Sequence, residues 1–425
     1  MKSKDTIEVK NTASRHPSYH WAVLGAALCV AIVAYAVHYS FGIFFKPLSD
    51  EFNWTRAMTS GAFSLYMLSR GGFGILTGWA TDKYGPRITV ATGGFCIGIG
   101  LILTSQVSAI WQLYIFYSLL VGLGVSVAFA PLIATTARWF VKKRGLATGI
   151  VLAGVGLGTA LMPKPASYLI DTYSWSTSYI IIGLFAMAAM GLAAIVLRRT
   201  PEECGLLPYG ITKAQIHNQN VETDKSSFTI DKKGFSLREA TRIPSFWMLF
   251  IITILFATCL YMVMIHIVQH ASDVGISMPV AASFLAVIGV STIAGRLAAG
   301  WLSDAIGKKP MLTICLLLQA GSVFSLMGIN NVAAFYVFAI VFGLVYGGIV
   351  TQLPLIAGEL FGLHSIGAIV GLEMLGTSLG GALGPILGGY VFDVTNSYSS
   401  AFLSAATGLL VATLLIPLLK PPKNK

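Results

Sequence analysis

Four ionisable residues stand inside long apolar runs of this chain: Arg70, Lys164, Arg296 and Glu373. A charge held in hydrocarbon is costly, so each is a candidate for work rather than decoration. Arg296 comes first. Asp304 follows it eight residues on, which puts Arg296 about 12 Å inside a helix. Arginine keeps its charge there and offers a planar fork matched to a carboxylate; a structural ion pair is the competing reading. Arg70 lies at comparable depth and reads as a paired or snorkelling cation. Lys164, between Pro163 and Pro165, reads as snorkelling outward. A carboxyl such as Glu373 favours its neutral form in a low dielectric, which suits a proton carrier. It is equally read as a hydrogen-bonded structural acid. Asp273 ends an apolar run and is either a partner for Arg296 or a solvated loop acid. His38, His266 and His270 titrate near neutrality in water, but their spacing makes no metal constellation. The five cysteines are scattered without a CxxC pair and read as small buried hydrophobes.

The elements that must hold these groups are membrane helices. Of 425 residues, 55% are hydrophobic and only 11% charged, and mean hydropathy is +0.76. Such a chain cannot cover a water-facing surface. Apolar stretches fall near 21–45, 57–79, 88–106, 110–135, 145–170, 176–197, 245–270, 279–302, 310–328, 332–357, 366–391 and 398–419. Each approaches the ~20 residues a spanning helix needs. Strict alternation is missing, which argues against a barrel. The expectation is an all-α membrane protein with twelve transmembrane helices. Most of the 28 Lys and Arg residues fall at the termini and in loops on one side; the opposite loops hold Lys46 and Arg56. That asymmetry places both termini in the cytoplasm of a cell that keeps the protein in its plasma or inner membrane. It also explains the net charge of +11 without nucleic acid.

The chain repeats itself. "GWATDKYGPR" (78–87) and "GWLSDAIGKK" (300–309) share Gly-Trp, an Asp and a second Gly. At the same offset Gly149, Gly154, Gly158, Pro163, Tyr168 and Asp171 meet Gly371, Gly376, Gly380, Pro385, Tyr390 and Asp393. A fixed offset over several helices means a duplicated unit. The boundaries read as a tail (1–20), a six-helix half (21–198), a polar linker (199–243), a second half (244–419) and a short tail (420–425). The last part of the linker is expected to form a short surface helix. Two parallel halves facing each other suit a solute site at their interface, opened to one side at a time.

Gly78, Asp82, Lys83, Gly85 and Arg87 resemble the signature loop of the major facilitator superfamily, Gly-x-x-x-Asp-(Arg/Lys)-x-Gly-x-(Arg/Lys). Gly300, Asp304 and Gly307 resemble its second copy. The resemblance implies that fold and makes these loops gating and packing devices: glycines for close approach and a tight turn, Asp facing helix-start amides. "YSFGIFFKPLSDEFNWTRAMTSGAFSL" (39–65) and "RWFVKKRGLATGIVLAGVGLG" (138–158) narrow it to a branch that looks like monocarboxylate transporters and oxalate:formate antiporters. There Arg296 stands where the family keeps its carboxylate anchor, and Tyr39 and Tyr346 match aromatic positions of the cavity. Three departures matter. Glu373 replaces a lysine of oxalate:formate antiporters, which argues against oxalate. Thr292 replaces an Asp, and Tyr39 a lysine, of animal monocarboxylate transporters, so their proton coupling does not simply carry over.

No P-loop, nucleophile–base set or metal-ligand spacing appears, and "GVGLG" (154–158) lies within a helix rather than after a strand. No enzyme, cofactor or metal is expected. The expectation is a monomeric secondary transporter that carries a small monocarboxylate such as lactate or pyruvate with a proton. Substrate contacts would be Arg296, Tyr39 and Tyr346; proton coupling would fall to Glu373 or Asp273. The alternatives are an organic-anion antiporter and an efflux pump. "GPILGG" stands on the eleventh helix rather than the fifth, where drug:proton antiporters carry such a motif, and this lowers the efflux reading.

Overall fold

The computed structural model describes residues 19–141, 143–210, 235–362 and 366–420. Twelve long helices run through them. The first six are α1 (Tyr19–Phe52), α2 (Arg56–Tyr84), α3 (Pro86–Thr104), α4 (Ile110–Trp139), α5 (Arg144–Leu161, continued by Pro163–Thr172) and α6 (Trp175–Val196). The others are α7 (Pro244–Asp273), α8 (Met278–Ile306), α9 (Lys308–Ser325), α10 (Val332–Phe361), α11 (Ile366–Thr395) and α12 (Ser399–Leu415). Each overlaps one of the twelve apolar stretches, and several extend past it because a helix continues into the headgroup layer where its sequence turns polar. Ten are long and apolar enough to cross a membrane. The other two are less apolar: α2 carries Arg70 among glycines and serines, and α9 opens on Lys308 and Lys309. The outward surface is apolar, with Leu192, Phe185, Leu297 and Leu414 exposed, as lipid requires.

α1 begins against the end of α6, where the Tyr19 hydroxyl donates to the Val196 carbonyl. α7 begins against the chain end, where Ser245 donates to the Lys420 carbonyl. Both described ends therefore lie on one face, called here the terminal face. The linker is tied to both halves. Tyr209 N donates to the Trp139 carbonyl at 2.9 Å and Phe235 N to the Phe361 carbonyl at 2.9 Å. Its last part forms a one-turn helix, Leu237–Ala240, closed by a reciprocal Ser236–Glu239 capping box.

α1–α6 and α7–α12 meet along three pairs, α2 with α11, α5 with α8 and α1 with α7. Toward the face opposite the termini these pairs are in close contact. A Cβ added at Gly389 would meet the Arg56 carbonyl oxygen at 2.6 Å, and one at Gly42 the Met264 carbonyl oxygen at 2.9 Å. Toward the terminal face, Cβ atoms added at Gly78, Gly149, Gly300 and Gly371 would meet nothing within 4 Å. The halves are closed at one face and parted at the other.

The repeated decapeptides form near-identical corners. Gly85 and Gly307 are each the single residue between two helices, with φ/ψ of 86°/162° and 91°/156°. Gly85 N donates to the Thr81 carbonyl and Gly307 N to the Ser303 carbonyl, both at 3.0 Å. That backbone region is essentially closed to residues with a side chain, at a cost of about 1–3 kcal/mol. Gly85→Ala and Gly307→Ala are each expected to lower the melting temperature of the detergent-purified protein. An unchanged melting temperature would show that the corners relax without strain.

Candidate functional site

Tyrosines gather where the halves face each other at mid-depth. Tyr35 and Tyr39 stand one turn apart on α1 and so share a face. The Tyr39 hydroxyl lies 3.0 Å from that of Tyr346 on α10, a hydrogen bond across the two halves. Tyr39 also stacks parallel to Tyr261 of α7, ring centroids 6.5 Å apart. His38 Nδ1 pairs with the Tyr66 hydroxyl at 2.9 Å, and its Nε2 is buried with no partner. All these rings are buried. Of the group, the sequence singled out Tyr39, Tyr346 and His38; Tyr35, Tyr66 and Tyr261 look like any aromatic in an apolar helix until the halves assemble.

Two guanidiniums approach this cluster from different halves. Arg296 of α8 donates from Nη1 to the Leu152 carbonyl of α5 at 3.0 Å, while its Nε is buried without a partner. Arg70 of α2 sits 5.5 Å from the Tyr35 ring centroid and reaches the Tyr35 hydroxyl at 3.5 Å. Among the described residues no carboxylate pairs with either one. The sequence reading of Arg70 as paired or snorkelling is therefore corrected: α2 packs along α11, which turns that face of α2 inward rather than toward lipid. Lys164 is exposed.

Asp273 is not a partner of Arg296. It ends α7 at the closed face and holds Arg56 in a two-point ion pair, at 2.8 and 2.9 Å. Arg56 also donates to the Tyr398 hydroxyl at 2.6 Å and lies 3.6 Å from the Phe392 ring centroid. The same helix start is capped from the other half, because Asp393 accepts from Arg56 N at 2.9 Å and Ala57 N at 2.8 Å. Beside it Lys46 of α1 donates to the Ser272 hydroxyl of α7 at 2.8 Å. The two cations that the charge asymmetry left on this side, Lys46 and Arg56, thus both bridge the halves. The sequence flagged them for their rarity and gave no sign of their partners.

Glu373 is buried on α11 and its Oε1 has no partner. No ion pair joins it to Arg296 among the described residues. Of the loop residues, Arg87 and Asp304 are exposed, and no helix-start amide donates to Asp304 among the described residues. Gly78 and Gly300 have open space beside them rather than the close neighbour expected. The side chain of Asp82 lies outside the described residues, as do Lys142 and the side chain of Arg144.

Between α2 and α11 a cavity of about 490 Å³ runs toward the terminal face, with Leu237 of the linker helix in its wall. Arg70 lines it, with Met67, Ile75, Phe129, Leu372 and Leu375 supplying apolar wall. Its size falls in the range of small-molecule sites. Leu372 and Met374 face it, whereas Glu373 does not.

Twelve helices in two bundles around such a cavity define a membrane carrier, and the comparisons agree. The family model described as Major Facilitator Superfamily matches residues 27–372 and 249–425, and the chain belongs to that superfamily. It is a multi-pass integral membrane protein and falls in the monocarboxylate transporter-like branch. It is 27% identical over 396 residues to monocarboxylate transporter 13 of Bos taurus, covering 92% of this chain and 87% of that one. It is 23% identical over 431 residues to monocarboxylate transporter 12 of Homo sapiens, covering 98% and 84%. In fold it is similar to a bacterial homologue of the human lysosomal transporter Spinster in an inward-facing, occupied conformation. The TM-score is 0.73 at 14% identity, over 95% of this chain and 97% of that one. These relatives are transporters, and the chain is not an enzyme.

The contacts of Arg56 give a direct test. Asp273→Asn removes one charge of the bridge without changing its shape. Hydrogen exchange at residues 56–60 and 268–273 is expected to rise several-fold in that variant. Unchanged exchange would mean that the bridge does not hold this face shut.

Proposed function

We propose that this protein is a secondary carrier that moves a small monocarboxylate, lactate- or pyruvate-like, together with a proton by alternating access. The observation that carries the reading is Arg296. It is a guanidinium within a membrane helix, at the junction of two halves, with one donor on the other half's backbone and another unpartnered. A fixed positive charge in that setting suits a carboxylate arriving from water. The names of the relatives support the same substrate class.

The positive-inside rule makes the terminal face cytoplasmic, so the parted halves correspond to an inward-facing state. Tyr39 and Tyr346 join the halves above the site, and their hydroxyls can turn to a carboxylate once it enters. Arg56, Asp273 and Asp393 act as the outer gate, since this network must open before the site faces outward. The paired decapeptide loops, with their rigid Gly85 and Gly307 corners, carry the rocking motion at the cytoplasmic ends. Glu373, buried and lacking an ionic partner among the described residues, takes the proton. An anion and a proton loaded together cross hydrocarbon with little net charge, which removes most of the electrostatic cost.

Uptake of labelled pyruvate and lactate into proteoliposomes, with and without an inward proton gradient, tests this. The wild-type protein is expected to accumulate label only with the gradient. Arg296→Lys should lose at least tenfold in uptake although it inserts normally, because an ammonium cannot reproduce the two-point fork. Near-wild-type uptake by Arg296→Ala would sink the carboxylate assignment. Glu373→Gln mimics the protonated acid and should keep substrate exchange while losing gradient-driven accumulation. If it accumulates with wild-type pH dependence, another group carries the proton.

A further inference from the structure

We infer that His266 is a positioning residue of the outer gate, which orients the Tyr398 hydroxyl, ties the gate to α11 and permits closure only while its ring is neutral. The inference rests on the gate reading above and goes beyond it, since the proton assigned to Glu373 plays no part. His266 stands on α7 about two turns before Asp273 and is fully buried. Its Nδ1 lies 3.0 Å from the Tyr398 hydroxyl and its Nε2 2.9 Å from the Pro385 carbonyl oxygen. The chemistry of the partners fixes each hydrogen. A carbonyl only accepts, so Nε2 carries a hydrogen and donates to Pro385. An arginine only donates, so Arg56 gives its hydrogen to the Tyr398 oxygen at 2.6 Å. The phenol is then free to donate its one hydrogen to the bare Nδ1. The result is a directed chain from Arg56 to Tyr398 to His266 to Pro385, which begins on α2 of one half and ends on α11 of the other.

The fold does not itself require an imidazole here. The repeat offset that joins Gly78 to Gly300 also joins Phe44 of α1 to His266. Phe44 is equally buried and stacks on Tyr179, ring centroids 3.9 Å apart. One half fills the place with hydrocarbon, the other with a ring that donates at one edge and accepts at the other. α11 makes room for it, because a Cβ added at Gly388 would lie 2.8 Å from the His266 Cδ2. Pro385 follows Ser378 of the cavity wall by about two turns, so the chain joins the outer gate to a helix that lines the inward cavity.

A second proton, on Nδ1, turns that nitrogen from acceptor to donor. The Tyr398 oxygen then faces two cationic donors, Arg56 and the imidazolium, while its own hydrogen has lost its acceptor. The neighbouring charges are engaged elsewhere. Asp273 pairs with the Arg56 guanidinium and Asp393 caps the start of α2. Lys46 of α1 donates to Ser272, and His270 of α7 is turned to the Leu326 carbonyl at 3.1 Å. None of them hydrogen-bonds to His266 among the described residues. The closed gate therefore holds the neutral ring, and acid at the outer face favours the parted gate, where water replaces Tyr398 beside Nδ1.

Spin labels on Ser108→Cys and Asn330→Cys read the gate directly. Both positions are exposed and lie in outer loops of opposite halves, between α3 and α4 and between α9 and α10. The full-length protein, its five cysteines replaced by alanine, is placed in lipid nanodiscs. Label-to-label distances are compared at about pH 7.5 and about pH 5.5, on either side of an imidazole in water. The long-distance population is expected to rise several-fold at the lower pH. His266→Gln keeps an acceptor for Tyr398 and a donor for Pro385 but takes no proton, so it should stay closed at both. His266→Phe copies the filling of the other half. It should keep the wild-type melting temperature yet show the long distance at both pH values. Tyr398→Phe cuts the same bond from its other end, should behave alike, and carries the test if His266→Phe fails to fold. A gate that stays shut at the higher pH in these phenylalanine variants overturns the positioning role. Wild-type distances that ignore pH, or a wild-type pH response in His266→Gln, overturn the dependence on a neutral ring. No transported solute enters these readings, so a wild-type protein that moves no carboxylate removes the carrier reading and leaves this result separately decided.

Discussion

A charge inside hydrocarbon must be answered by an opposite charge, a set of dipoles, or a ligand, and the arrangement of this molecule follows from how each buried charge is answered. Arg56 is answered in full by Asp273 and Tyr398, and that exchange of contacts closes one face. Arg296 is answered in part by a backbone carbonyl. Arg70 has a sulfur, hydroxyls and a ring. The gradient from satisfied to unsatisfied runs from the closed face to mid-depth, where a solute would bind. The fully paired charge joins the halves at the closed face, and the less fully answered charges lie near the centre.

The two halves share a sequence pattern but do not share its use. Asp171 and Asp393 occupy equivalent repeat positions, yet Asp171 is exposed and Asp393 caps the first turn of α2 in the opposite half. A duplicated residue thus becomes a contact between halves in one copy only. The corners at Gly85 and Gly307 behave the other way, with nearly the same backbone angles and the same closing hydrogen bond. Local backbone geometry survives duplication because it depends on a few neighbouring residues. Contacts between halves diverge because each copy faces a different partner.

Small residues mark where the halves can touch. Where they are occupied, at Gly42 and Gly389, backbones approach too closely for any side chain. Where they are open, at Gly78 and Gly371, the same absence of side chains leaves a cavity wall. One residue type therefore serves contact in one place and space in another, and only its position along the helix tells which.

The sequence by itself determined the twelve helices, the repeat and the turn glycines, because these depend on span length, hydropathy and local backbone sterics. It also isolated Arg296, Arg70 and Glu373, because a charge in an apolar run is visible without any fold. Partners were another matter. Asp273 was read as a partner for Arg296 or a solvated loop acid and pairs with Arg56; Arg70 was read as paired or snorkelling and lines the cavity. Each of these depends on which face of a helix meets which neighbour, and in a bilayer that choice carries little hydrophobic signature, since lipid tails and protein interior are about equally apolar. The tertiary structure decided them through packing of backbone on backbone, which places side chains from opposite halves within reach of one another.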